Sequence, residues 1–417
     1  MLEKKIIHVG IGFATGRKGF LKVLKTYIYS WKDSGLIDTA HIHLHVFIAY
    51  DLRYNDTKPS DYTRIGKDLS EKIEGIHFVD TEYIQREVDS LVRENIVSQD
   101  EAELFFTSGY AAMRNAVLYS AIQNQMDYLL FLDDDEYPLA VTRDKHVALW
   151  SGQQVLSNHL MHIKDADITN GYHCGYISPI PVISFNDTLT ESDFKTFIEA
   201  ISNDIINWKN MQRVMRQGGV TYADTSILIQ NSAQEVAEAN GCKFISGSNL
   251  MLNLTDPARM FPFYNPPGAR GEDTFLSTCL TERTVLRIPS YAFHNGFSMY
   301  NCLLNGVLPT ELKPIKADSR AVVTRFYNAC IGWVRYKPLL LYITQRDQYA
   351  RKIEDMKSKL ESTLPKLAAY FKLKDFNKIM AELILYDRNV EQHYAEFLQT
   401  QQVWQRMVAH MLSDASR

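Results

Sequence analysis

Tyr128-Leu129-Leu130-Phe131-Leu132-Asp133-Asp134-Asp135-Glu136 decides how the rest of this chain is read. Five apolar or aromatic residues in succession suit a strand buried on both faces, as in a parallel sheet covered by helices. Four acidic residues follow without a break. Neighbouring carboxylates repel one another, so such a cluster calls for an offsetting cation. Hard divalent ions, Mg2+ or Mn2+, prefer oxygen ligands and keep positions open for water and phosphate. The edge of a parallel sheet where the strands end is also where α/β proteins bind ligands. A solvated acidic turn or a helix cap is the plainer alternative. An EF-hand is excluded, because the Gly and Glu it needs downstream are missing.

Upstream, the same alternation recurs. Ile6 to Ile11, His45 to Tyr50 and Ile76 to Asp80 read as strands, and Phe20 to Trp31 and Ser108 to Gln125 as helices. The expected fold is therefore α/β, a Rossmann-like mixed sheet, mostly parallel and flanked by helices, followed by a C-terminal α-helical region. Downstream, Leu149 to Ile163 reads as a helix, Ala166 to Thr169 as the approach to a strand, and residues 191–218 as a polar helical insert. Lys243 to Asn253 reads as a strand containing Gly247, and Thr274 to Thr281 as a helix. The chain divides into a globular section, 1–318, with halves meeting near residue 137 or 138, and a helical region, 319–417.

Within that last region, Thr363 before Leu364-Pro365 and Asp375 look like helix starts. Val390, Tyr394, Phe397, Trp404, Val408 and Met411 recur at three- and four-residue steps. Such a seam either covers the protein's own globular section or pairs with a second copy, giving a homo-oligomer. Cys330 to Ile343 is apolar and aromatic with Arg335 and Lys337. It reads as a buried helix broken at Pro338, with peripheral contact to a membrane surface as the alternative.

Composition narrows the class. With 46% hydrophobic and 23% charged residues over 417 positions, the chain is neither disordered nor low-complexity. A net charge of −4 gives no bulk attraction to nucleic acid. The five cysteines lack CxxC spacing and read as reduced thiols, not a zinc site. The N-terminus lacks a secretory apolar core and no stretch approaches the roughly 20 apolar residues of a membrane span, so a soluble cytoplasmic protein is expected. Gly10 to Gly16 has one residue too many for a dinucleotide fingerprint, and no Ser or Thr follows Lys18 as a phosphate loop requires. The glycines still suit a loop approaching a nucleotide, with Arg17 and Lys18 near phosphates or simply on the surface. Asp51 ends the second strand and Asp80 the third.

Ala111-Ala112-Met113-Arg114-Asn115 precedes the acidic cluster by one helix and one strand. Together with Phe131-Leu132-Asp133-Asp134-Asp135 it resembles the inverting GT-A nucleotide-sugar glycosyltransferases of family 2, in which an "ARN" helix leads to an "FLDDD" strand end. Trp150 through Asp165-Ala166-Asp167-Ile168-Thr169-Asn170-Gly171 looks like that family's next helix and strand. Gly271-Glu272-Asp273-Thr274-Phe275 is similar to its "ED" motif, whose Asp acts as general base. His294, in Phe293-His294-Asn295-Gly296, lies where many GT-A enzymes place a histidine metal ligand. The resemblance spans roughly residues 5–300 in motif order.

It implies a metal-dependent transfer of a sugar from a UDP- or GDP-sugar to a glycan or lipid-linked acceptor hydroxyl, as in polysaccharide biosynthesis. The leaving diphosphate gathers negative charge that Mn2+ or Mg2+ would neutralise. Asp133, Asp135 and His294 are the expected metal ligands. Asp51, Arg114, Asn115, Asp133 and Asp134 would contact the donor, and Glu272 and Asp273 are catalytic, with Asp273 the base of an inverting reaction. Arg114 as an internal ion pair and Glu272-Asp273 as a helix cap remain open. Tyr172, His173, Tyr176 and the 262–271 loop would shape the acceptor pocket. A sugar nucleotidyltransferase and a non-catalytic carbohydrate-binding protein are the alternative functions.

Overall fold

A computed structural model describes residues 5–53, 56–107, 109–202 and 207–415. Its strands are β1 (Ile7–Thr15), β2 (Ile42–Tyr50), β3 (Gly75–Val79), β4 (Tyr128–Leu132), β5 (Glu136–Tyr137), β6 (Leu139–Asp144), β7 (Val147–Gly152), β8 (Ile168–Gly175), β9 (Gln234–Glu235), β10 (Leu250–Asn253) and β11 (Val285–His294). The main sheet runs β3-β2-β1-β4-β10-β8-β11-β5, with β9 beside β11, and β6 pairs with β7 in a separate hairpin. β3, β2, β1 and β4 are parallel. β10 then enters antiparallel between β4 and β8, and β5 is antiparallel to β11. The expected α/β class holds. The sheet is mixed as expected: β8 and β11 pair in parallel and run in the direction of β1–β4, and only short β10, β5 and β9 return against their neighbours.

Residues alternate between two cores along the strands. Val9, Ile11, Phe13, Leu130 and Leu132 face helix α1 (Phe20–Asp33). Phe47, Leu129 and Phe131 face the opposite layer, which includes α2 (Thr81–Arg93), α3 (Gln99–Phe106) and α4 (Tyr110–Gln123). Gly10 and Gly12 lie within β1, not in a loop. A methyl group on Gly12 would stand 2.7 Å from Val117 of α4, so the missing side chain lets that helix press on the strand.

Residues 147–152 form β7, and helix α5 (Val155–His162) begins later than expected. Exposed Val147 and Leu149 flank buried Ala148, a two-residue period that pairs with β6. Only Leu250–Asn253 of the 243–253 stretch is strand. The polar insert contains α6 (Glu191–Ile201) and α7 (Trp208–Arg216), and α8 (Glu272–Ser277) follows the 262–271 loop.

The last region holds α9 (Arg320–Thr344), α10 (Tyr349–Tyr370), α11 (Lys378–Arg388) and α12 (Val390–Ala415). α9 runs through Pro338 unbroken, and Cys330, Val334, Leu339 and Leu341 are buried in the protein's own cores. Thr363 sits inside α10, where its hydroxyl donates to the Lys359 carbonyl at 2.7 Å, so it starts no helix. Asp375 lies in a 3-10 turn just before α11. The apolar seam of α12 faces the chain itself. Trp404 is fully buried, donates to the Met260 carbonyl at 3.1 Å and stacks on Phe105. No helix among the described residues is long and apolar enough to cross a membrane.

Trp404→Ala should cost about 3–5 kcal/mol, read by denaturant unfolding, since it empties a large buried site. A loss below about 1 kcal/mol would show that α12 is only loosely attached. His159 is fully buried, with Thr169 Oγ1 2.7 Å from Nδ1 and Asn249 Oδ1 2.9 Å from Nε2, which satisfies the neutral ring. Burial pulls its pKa from 6.5 down to about 4. In that window the unfolded chain binds more protons, so stability is present above about pH 6.5 and falls by up to about 3 kcal/mol as pH drops towards 4. His159→Gln should flatten this slope in unfolding curves taken from pH 7 to pH 4.

Candidate functional site

β4 ends at Leu132, the chain turns through Asp133–Asp135, and β5 then pairs with the end of β11, setting Glu136 opposite His294. The Asn295 N–H closes the turn by donating to the Asp135 carbonyl at 2.9 Å. The acidic cluster and His294 are thus brought together by backbone pairing, from the middle and the far end of the globular section.

Each carboxylate meets a different partner. Asp133 accepts from Arg114 Nη2 at 3.0 Å. Asp134 accepts from the Thr15 hydroxyl at 2.6 Å and pairs with Arg17 Nε at 3.0 Å. Asp135 pairs with Arg17 Nη2 at 2.7 Å and stands 3.4 Å from His294 Nε2. Glu136, almost wholly buried, accepts from Ser248 Oγ and lies 3.1 Å from His173 Nε2, an ion pair without a linear hydrogen bond.

Arg114 is 4% exposed and lies between the Phe131 and Phe263 rings, 5.3 and 5.7 Å from their centroids. It also donates to the Gly247 carbonyl and reaches Glu272 at 3.5 Å. It therefore works as an internal hub between the two acidic motifs. Gly271, at φ +102°, takes a left-handed turn open to glycine and starts α8, so that Glu272 and Asp273 occupy its first turn. Asp273 accepts from the backbone N–H of Thr274 at 2.8 Å and of Gly247 at 3.1 Å.

Withdrawal from water pushes Asp133 up to about 8, with the neighbouring carboxylates adding to the rise and Arg114 opposing it. Burial, then Asp135, raise Asp134 to about 6 against Arg17. Burial, then Glu272, raise Asp273 to about 6. Burial alone would raise Glu136, but the His173 imidazolium pulls it down to about 2.

Two ligands bound at about 2.1 Å and roughly at right angles on one ion stand about 3 Å apart, close to the Asp135–His294 spacing. The His294 Nδ1–H donates to the Tyr176 carbonyl at 2.8 Å, which turns the Nε2 lone pair towards Asp135, as metal-ligating histidines require. No group of three or more His, Cys, Asp or Glu among the described residues could hold a metal by itself. Asp135 and His294 are the two donors whose spacing would let them share an ion, with the rest of its shell coming from outside the protein.

A cavity of about 1450 Å3 gathers Asp133–Glu136, His173, Glu272, Asp273 and His294. Two expected donor contacts lie elsewhere. Asn115 is buried with both ends of its amide bound to the Phe263 backbone, at 2.7 and 2.9 Å, so it pins a loop. Asp51 stands at the end of β2 with its carboxylate held by Arg53 at 3.0 and 3.2 Å, outside the cavity lining. Tyr176 is also a core residue, its hydroxyl donating to the Lys313 carbonyl, whereas Tyr172 and His173 line the cavity. Of the 262–271 loop, Arg270 and Gly271 line it. Sequence reading missed Ser248, the Glu136–His173 pair and the α9 wall. The α9 face was readable, in Arg320, Thr324 and Asn328 at four-residue steps.

No protein-family model matches this chain, and no curated protein matches it. Arg114→Ala should cost about 2–4 kcal/mol in denaturant unfolding, since it strips the partner from two acidic motifs. The lower part of that range reflects Asp133, whose side chain is 34% exposed towards the cavity. An unchanged midpoint would contradict the hub role.

Proposed function

We propose that the chain is a GT-A-type glycosyltransferase that uses Mn2+ or Mg2+ to move a sugar from a UDP- or GDP-sugar to an acceptor hydroxyl. The observation that carries this reading is the convergence of three separate motifs, Asp133–Asp135, Glu272-Asp273 and His294, on one cavity at the strand ends. Asp135 and His294 would hold the ion, which when bound supplies positive charge for a leaving diphosphate. Arg17 braces Asp134 and Asp135 and keeps both carboxylates turned to the cavity.

Asp273 takes the proton of the acceptor hydroxyl. A carboxylate raised to about 6 is still mostly ionised at pH 7 yet more basic than an ordinary aspartate. Its two backbone hydrogen bonds fix its direction. Glu272 is tied to Arg114, which leaves one carboxylate for proton transfer and favours inversion at the sugar carbon.

The test is a panel of UDP- and GDP-sugars with Mn2+ or Mg2+, measuring donor hydrolysis and transfer to glycan and lipid-linked acceptors. At least one donor should turn over and stop doing so with EDTA. Asp273→Asn should lower turnover by about 10²–10⁴ with donor affinity within about twofold. Failure of every donor to react would contradict the proposal.

A further inference from the structure

The cavity has a second wall of opposite character, built by α7 and the first half of α9. Arg320, Thr324, Arg325 and Asn328 of α9 line it, while Val323, Phe326 and Cys330 on the other side of the helix enter the helical core. α7 adds Arg213 and the loop before α8 adds Arg270. Neither α7 nor α9 contributes a carboxylate to the lining. Arg213, Arg270 and Arg320 are exposed. Among the described residues none of these three forms an ion pair with a carboxylate, although Arg213 acts weakly through space on Asp224.

Arg325 carries this wall to the acidic edge. Its guanidinium lies over the Phe297 ring at 4.5 Å. A methyl group on Gly296 would meet both Arg325 Nη2, at 2.6 Å, and the His294 ring, at 2.4 Å, so the Arg325 guanidinium and the His294 imidazole are neighbours.

The placement runs against two local preferences. α9 has no acidic residue in its first turn and begins with Arg320, a positive charge at the positive end of a helix. The chain as a whole carries a net charge of −4. Local rules are broken in this way where a ligand supplies the missing charge.

We propose that the acceptor bears an anionic group, a phosphate or carboxylate, held by Arg213, Arg320 and Arg325. This rests on the glycosyltransferase reading of the same cavity. The donor diphosphate is the other anion these arginines could serve, and the two sources separate by competition.

Inorganic phosphate, glucose 6-phosphate and glycerol 3-phosphate are titrated calorimetrically, alone and with saturating UDP or GDP plus Mn2+, beside glucose as the neutral control. At least one phosphate compound should bind to the nucleotide-saturated protein, and glucose should not. The double variant R213A/R320A should weaken that binding at least tenfold while UDP or GDP affinity stays within about twofold, and R320K should recover part of the loss. The proposal is overturned if none of the three probes binds, if the double variant binds them as well as the native protein, or if nucleotide displaces them and the variant loses nucleotide affinity. Absence of any nucleotide binding would count against the transferase reading alone, since phosphate binding through the arginines is read independently of it.

Discussion

The organising constraint in this protein is the negative charge packed at the end of β4. Asp133, Asp134, Asp135 and Glu136 follow a strand that is dry on both faces; Glu136 is buried, and the three aspartates are partly exposed along the cavity. Its partners arrive from four directions: Arg17 just beyond β1, Arg114 from α4, His173 from β8 and His294 from β11. The strand order sets these elements around one turn, and the mixed half of the sheet is what brings His294 opposite Glu136. Asp133, Asp134 and Asp273 are all pushed upward in pKa, first by burial and then by their carboxylate neighbours. A divalent ion and an anionic substrate together suit such carboxylates better than a closed ion-pair network.

The C-terminal helices belong to the same arrangement. The 262–271 loop, which delivers Glu272 and Asp273, is held by Tyr264 donating to the His393 carbonyl at 3.1 Å and by Arg335 donating to the Gly268 carbonyl at 2.7 Å. Tyr386 of α11 donates to the Pro267 carbonyl as well. α9 then closes the cavity with its arginine face. A region that reads in sequence as a helical tail is therefore a wall of the cavity and a clamp on the 262–271 loop.

Much of the first half of the fold was legible because its signals are local. β4 is apolar at every position and ends where the acids begin, and α1 repeats at helical spacing. Other features rest on distant partners and leave little local trace. Asn115 looks like a ligand contact until Phe263, 148 residues away, takes both ends of its amide. Residues 147–152 carry helix-compatible letters and become a strand because β6 pairs with them. Pro338 looks like a break and Pro365 like the start of a helix, yet both lie inside helices that tertiary packing holds. The acidic and Glu-Asp motifs could each be picked out in sequence, but their meeting in one cavity depends on the sheet, and the arginine wall depends on where α9 docks.

On the proposed reading, the carboxylate turn is a cation and nucleotide site rather than a self-satisfied ion-pair cluster. The most direct measurement is calorimetric titration of UDP and GDP into the native protein and Asp135→Asn, with and without Mn2+. The account predicts nucleotide binding that needs the metal and is weakened at least tenfold by the substitution. Nucleotide binding indifferent to both Mn2+ and Asp135, or no binding of either nucleotide, would contradict it.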